Sequence, residues 1–237
     1  MVSTTKQLPD NWTLCDSAEQ LAQQLAQAIL TLADKAITKQ GAFHFITAGG
    51  TTPNRCYEIL SQAQADWDKW HIYLGDERVL PFVNTERNSQ ALLAHWLNNN
   101  DIPAKQVHFI NTEAGMEKSA QAYAKLIEGV ESFDLCLLGM GEDGHTASLF
   151  PQHENSDSVI AYGEKQLVIS ESRSPKPPSE RVSLTYSAFE KCAMLFKVIS
   201  GASKRDAVAQ VLEGRSALPI AKAKGVETFY WLSKEAL

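Results

Sequence analysis

Residues 133–138 read Phe-Asp-Leu-Cys-Leu-Leu, a run with scarcely a polar side chain to turn toward water on either face. A strand of that kind has to be covered on both sides, which is the pattern of a parallel sheet flanked by helices. The surrounding chain alternates in the same sense. Asp16 and Glu19 have capping-box spacing ahead of an apolar stripe of Leu21, Leu25, Ala28, Ile29, Leu32 and Ala36, so a helix is predicted to run to about Lys39 and end at Gly41. A strand over 43–47 then breaks at Gly49-Gly50, and a second helix starts at Pro53. Further on come a strand over 70–74, a helix over 88–97, a short strand over 107–110 and a helix over 114–129. Strands alternating with helices imply right-handed crossovers, hence an α/β fold with a mostly parallel sheet and helices on both faces. Beyond Pro151 the pattern loosens into an irregular stretch to about Glu164, a strand over 167–170 and a Pro-rich loop over 174–178 that reads as a rigid spacer. Short strands over 181–184 and 193–199, a helix over 203–212 and a terminal strand over 228–232 complete the pattern. With 237 residues, 44% of them apolar, the chain can bury a full core, and one domain spanning 1–237 is expected.

A net charge of −6 gives no electrostatic reason to expect nucleic acid or an anionic membrane as partner. A small anionic substrate would need a locally basic pocket. The four cysteines, Cys15, Cys56, Cys136 and Cys192, show no C-x-x-C pairing and read as buried reduced thiols. The first ten residues lack a basic segment followed by an apolar stretch, and no window approaches the roughly 18 apolar residues of a membrane span. A cytoplasmic protein is therefore expected.

Three segments at strand ends carry chemistry. Thr47-Ala48-Gly49-Gly50-Thr51-Thr52-Pro53 runs from a strand through glycines and hydroxyls into a helix, so its N–H groups and the helix amino terminus can cradle a phosphate; an ordinary tight turn with a Thr cap is the plainer alternative. It is neither the G-x-x-x-x-G-K-[ST] nor the G-x-G-x-x-G pattern, so neither ATP nor NAD is indicated. Gly75-Asp76-Glu77-Arg78 ends another strand, where Arg78 would offer a fork of donors to a substrate oxygen or a developing oxyanion. Third, the run Gly139-Met140-Gly141-Glu142-Asp143-Gly144-His145 follows the apolar strand of 133–138. A neutral imidazole at His145 can take a proton from water and return it to a leaving oxygen, and Asp143 could orient the ring or favour its charged form. No H-x-x-x-H or clustered Cys and His supports a metal site. Arg181 and Lys204, each near a strand end, would concentrate positive charge around a phosphorylated substrate.

Taken together, Ala48-Gly49-Gly50-Thr51-Thr52-Pro53, Gly75-Asp76-Glu77-Arg78, the whole run from Gly139 to Pro151 and Glu180-Arg181-Val182-Ser183-Leu184-Thr185 resemble the 6-phosphogluconolactonases, in the family they share with glucosamine-6-phosphate isomerases. The resemblance covers nearly the whole chain. It implies a modified Rossmann-like fold and hydrolysis of 6-phosphoglucono-δ-lactone without cofactor or metal, the second step of the oxidative pentose phosphate pathway. By that resemblance His145 is the general base, and Asp143, Asp76 and Arg78 stand with it as catalytic residues; the partner of His145 is Asp143, Asp76 or Glu77. The phosphate would sit on Gly49, Gly50, Thr51 and Thr52, with Arg181 and Lys204 closing over it and Ser148 assisting. The partner is a phosphorylated sugar lactone, and the protein a monomer or homodimer. Arg87 and Asn88 stand after the acidic turn without an assigned role. Two other readings share the phosphate cradle: a glucosamine-6-phosphate deaminase and a sugar-phosphate sensor without catalysis. The deaminases carry an acidic residue five positions after the His, where this chain has Phe150. Ser148 has no G-x-S-x-G setting, so a serine nucleophile is not expected.

Overall fold

The computed structural model describes residues 8–153, 166–214 and 217–237. Most of the irregular stretch expected between Pro151 and Glu164 lies outside the described residues. Seven strands form one sheet in which every pairing is parallel: β1 (Trp12–Cys15), β2 (Phe43–Thr47), β3 (Trp70–Leu74), β5 (Val107–His108), β6 (Phe133–Gly139), β9 (Cys192–Ile199) and β10 (Glu227–Ser233), in the order β1-β10-β9-β6-β2-β3-β5. The central strand is covered on both faces, with Phe133, Leu135, Cys136, Leu137 and Leu138 all buried. β1 escaped the sequence pattern because it is an edge strand of four residues. Trp12 earns its place there by stacking on Tyr230 of β10, ring centroids 4.3 Å apart.

The helices are α1 (Ala18–Gln40), α2 (Thr51–Leu60), α3 (Asn88–His95), α4 (Met116–Glu128), α5 (Tyr186–Phe189), α6 (Arg205–Leu212) and α7 (Pro219–Lys222). Two starts differ from expectation. The cap of α1 is Ser17, whose extended backbone lets its hydroxyl accept from Gln20 N–H at 3.2 Å, so the capping frame lies one residue later than Asp16. Helix α2 begins at Thr51, two residues before Pro53, so both threonines sit in its first turn.

A larger correction concerns Asp76-Glu77-Arg78, read from sequence as a turn. It forms β4 (Asp76–Arg78), the edge of a separate three-stranded antiparallel sheet with β8 (Arg181–Leu184) and β7 (Val168–Glu171). Three residues are too few to show a period, and neither later strand belongs to the main sheet. This ribbon brings Arg78 opposite Arg181 and Asp76 opposite Ser183.

In the main sheet the chain works outward from β2 through β3 to β5, and from β6 through β9 to β10 on the other side. The order therefore reverses between β2 and β6. At such a switch point the loops leaving two neighbouring strands diverge at their carboxyl ends and open a crevice.

Candidate active site

The crevice at the switch point is a cleft of about 450 Å³, lined from β2 by residues 47–53, from β4 by Asp76 and Arg78, and from the loop after β6 by Gly141 and His145. Lys176, Arg181 and Lys204 line it as well, which supplies the local positive charge that an acidic chain needs for an anionic ligand.

The first wall is built by the glycine-threonine turn. Gly50 caps α2 at φ 116°, a left-handed-side conformation that a side chain would strain. The first bond of the helical ladder runs from Asn54 N–H to Gly50 O at 2.9 Å, and Pro53 has no N–H to satisfy. The N–H groups of Thr51 and Thr52 thus lie ahead of the ladder, at the positive end of the helix. Tyr57 fixes the turn from inside: its hydroxyl donates to Ala48 O at 2.9 Å and accepts from Ala48 N–H at 3.0 Å. The Thr52 hydroxyl pairs with that of Ser200 at 2.5 Å, which ties the cradle to the end of β9.

The second wall is the loop after β6. Asp143 Oδ1 lies 2.5 Å from His145 Nδ1 and accepts from His145 N–H at 3.2 Å. Of the three carboxylates open from sequence, Asp143 is therefore the one the fold pairs with His145. Gly141 makes room for the pair, because a Cβ there would overlap both the imidazole and the Asp143 carboxylate. Burial raises the Asp143 carboxyl, but the hydrogen bond and charge of His145 and the loop N–H groups outweigh that and bring it down to about 2. With Nδ1 held, Nε2 is the ring nitrogen left for chemistry. The ring also rests on Phe150, centroids 4.8 Å apart.

The ribbon supplies the third wall. Asp76, 9% exposed, accepts from Ser148 Oγ at 2.7 Å and from Asn88 Nδ2 at 2.8 Å. Arg78 donates through Nη1 to Glu86 O, while its buried Nε has no partner among the described residues. Glu77 points elsewhere: it is fully buried and accepts from the N–H groups of Arg78, Asn88 and Ser89 at 2.8, 2.8 and 2.9 Å. It anchors the start of α3. Arg87, also buried, donates to Thr112 Oγ1 at 2.8 Å and to Ile110 O at 2.9 Å, a structural post.

Two expectations change. Ser148 is fully buried and absent from the described cleft lining; its hydroxyl is turned to Asp76, so the structure does not place it against a phosphate. Asp76 also gives Ser148 a neighbouring carboxylate that sequence did not show, but a buried hydroxyl cannot reach a ligand in the cleft. Arg181 lines the cleft, yet Nε donates to Pro178 O at 2.8 Å and Nη2 to Pro177 O at 3.1 Å, so part of its guanidinium holds the Pro-rich loop. Burial lowers its pKa against the pull of Asp76. That loop is more than a spacer, since it presents Lys176, which pairs with Glu142 at 3.2 Å. Lys204 is lowered first by burial and then by the charge of Lys176. Lys176, Asn88 and Ser200 are polar lining residues that sequence left unassigned. Lys176 alone carried a signal, a cation held between prolines. Among the described residues no group of three or more His, Cys, Asp or Glu is arranged to hold a metal ion.

Comparison with known proteins gives a consistent result. Residues 16–231 match the model of the family described as glucosamine-6-phosphate isomerases/6-phosphogluconolactonase. A 6-phosphogluconolactonase of Nostoc is 34% identical over 223 residues, covering 89% of this chain and 85% of that one. One from Mycobacterium leprae is 32% identical, covering 86% and 87%. Among solved structures, the 6-phosphogluconolactonase of Thermotoga maritima superposes with a TM-score of 0.84 at 26% identity, over 94% of this chain and 99% of that one.

Proposed function

The chain belongs to the glucosamine-6-phosphate isomerase/6-phosphogluconolactonase family, and from that premise we propose that it hydrolyses 6-phospho-D-glucono-1,5-lactone to 6-phosphogluconate through water activated by His145. The pairing of His145 with Asp143 in a cleft that also holds a phosphate cradle carries the proposal.

The substrate's phosphate sits on the N–H groups and hydroxyls of Thr51 and Thr52, with Gly49 and Gly50 letting the backbone approach. Lys204 and Lys176 neutralise its charge, and Arg181 contributes both charge and the loop that presents Lys176. This binding holds the lactone carbonyl toward His145. Nε2 takes a proton from water as the oxygen attacks the carbonyl carbon. Asp143 stabilises the imidazolium that forms and fixes the ring so that Nε2 faces the cleft. The tetrahedral oxyanion accepts from the guanidinium of Arg78, which lines the cleft; a donor so placed contributes about 3–4 kcal/mol to the transition state. Collapse breaks the bond from carbon to ring oxygen, and the imidazolium returns its proton to that oxygen. One water is consumed, and no covalent intermediate is needed.

Phe150 bears on the deaminase alternative. Its ring covers one face of His145 where the deaminases, by the resemblance above, have a carboxylate. Among the described residues no helix is long and apolar enough to cross a membrane. The four free, buried thiols support a reducing compartment such as the cytoplasm. A coupled assay with freshly generated lactone, corrected for spontaneous decay, tests the activity. Acceleration supports the lactonase; binding of 6-phosphogluconate without acceleration would make the protein a sensor.

A further inference from the structure

Ser148 lies three residues after His145 on the same loop, yet both of its hydrogen bonds leave that loop for the ribbon. Its N–H donates to Ser183 Oγ at 3.1 Å and its Oγ donates to Asp76 Oδ2 at 2.7 Å. Ser183 and Asp76 are register partners across β8 and β4, so the two bonds grip one rung of the ribbon. Other fastenings run elsewhere: Thr146 Oγ1 donates to Gly139 O at 2.9 Å and Gly141 N–H to His145 O at 2.9 Å, which tie the loop to itself and to the end of β6, while exposed Glu142 pairs with Lys176 at 3.2 Å and His153, further along, lies 3.0 Å from Glu171 of β7. Ile220 N–H donates to Gly144 O at 3.1 Å, which secures the loop to α7. None of these reaches β4, the strand that carries Arg78.

We propose that Ser148 is a positioning residue for the lactonase reaction: it bolts the loop carrying His145 and Asp143 to the ribbon carrying Asp76 and Arg78, and so sets the spacing of imidazole and guanidinium across the lactone carbonyl. The inference rests on the lactonase reading. A hydroxyl suits the post because it gives one proton to Asp76, whose other oxygen is held by Asn88 at 2.8 Å. Removing that donor leaves a mostly buried carboxylate oxygen unpaired, which drives the side chain to reorient and loosens the rung. Ser148 touches neither substrate nor reacting atoms. Its effect therefore passes through Asp76 and appears in turnover more than in binding of the phosphate, which other walls hold.

The test is a double-mutant cycle of S148A and D76A, each enzyme assayed with fresh lactone and titrated with 6-phosphogluconate. S148A is expected to lower kcat about tenfold, the scale of a lost hydrogen bond to a charged group, with product affinity unchanged. Added to D76A it should cost almost nothing further, whereas a purely structural defect would multiply through. S183A, which removes the acceptor of the Ser148 N–H, should lower kcat in the same sense and decides the matter if S148A does not fold. Wild-type kcat in S148A or in S183A, or costs that multiply in the cycle, would overturn the inference while leaving the lactonase intact. A wild-type protein that fails to accelerate lactone decay would instead sink the lactonase reading itself.

Discussion

At the scale of single residues the site turns on one proton carrier and the anion that orients it. Asp143 is held down to about 2, so its carboxylate is ionised throughout the range in which a lactonase works. A group whose pKa is depressed by folding stabilises the native state above its unfolded value and loses that contribution as pH falls through the folded one. For Asp143 the window runs from the ordinary value of 3.8 down to about 2, so acid losses of activity above pH 4 do not come from this carboxylate. D143N keeps the size of the side chain but removes the charge. We expect kcat to fall by roughly 10²-fold or more, within the range general acid–base catalysis supplies, while affinity for 6-phosphogluconate stays near wild type. Unchanged turnover would show that Asp143 only shapes the loop. Both residues stood out in the sequence because Asp143-Gly144-His145 is local, but their pairing did not, since Asp76 and Glu77 were equally open as partners until the folded loop set Asp143 against the ring. The roles of Ser148, Asn88 and Lys176 were not legible either, because each depends on a contact between different elements: Ser148 with Asp76, Asn88 with Asp76, and Lys176 with Glu142.

At the scale of elements, the loop after β6 works because glycine leaves space where the imidazole and carboxylate fold back over Gly141. G141A places a methyl group into that pair. We expect lactonase activity to fall to near the spontaneous rate while thermal unfolding changes by only a few degrees, since the displaced groups belong to a surface cleft and not to the core. Full activity in G141A would mean that the pair is not held as described. The parallel strands over 43–47 and 70–74 were readable to the residue, because both faces are buried and their apolar runs stand out between helices. Of the ribbon, β7 and β8 were readable as strands, but their pairing apart from the main sheet and the third strand were not. Its strand β4 spans three charged residues whose extended form is set by pairing with β8, and local propensity says nothing of such a partner.

At the scale of the whole molecule, we propose that the chain folds as one cooperative domain, supported by a sheet that draws strands from Trp12 to Ser233. One end of β2, β3 and β5 adds a pH dependence unrelated to the cleft. His44 and His71 stack with centroids 4.7 Å apart, and His71 Nδ1 lies 3.5 Å from His108 Nε2. Burial, then the charges of His71 and His44, lower His108 to about 4; burial also lowers His44 against Asp134, and burial, His44 and Lys105 lower His71. The unfolded chain binds protons first, so stability should be full above about pH 6.5 and decline as pH falls toward 4. Melting temperatures recorded over that interval should drop in wild type and drop less in H108Q; equal slopes would remove the cluster from the account. Residue, element and molecule meet in the proposed hydrolysis of a phosphorylated lactone in this cleft, with His145 as base. The most direct measurement is the rate of decay of fresh 6-phosphoglucono-1,5-lactone with wild type and with H145A, beside titrations of both with 6-phosphogluconate. We expect strong acceleration by wild type, a loss of roughly 10²- to 10⁴-fold in H145A, and similar binding of 6-phosphogluconate by both. Equal rates for the two proteins would contradict the proposal.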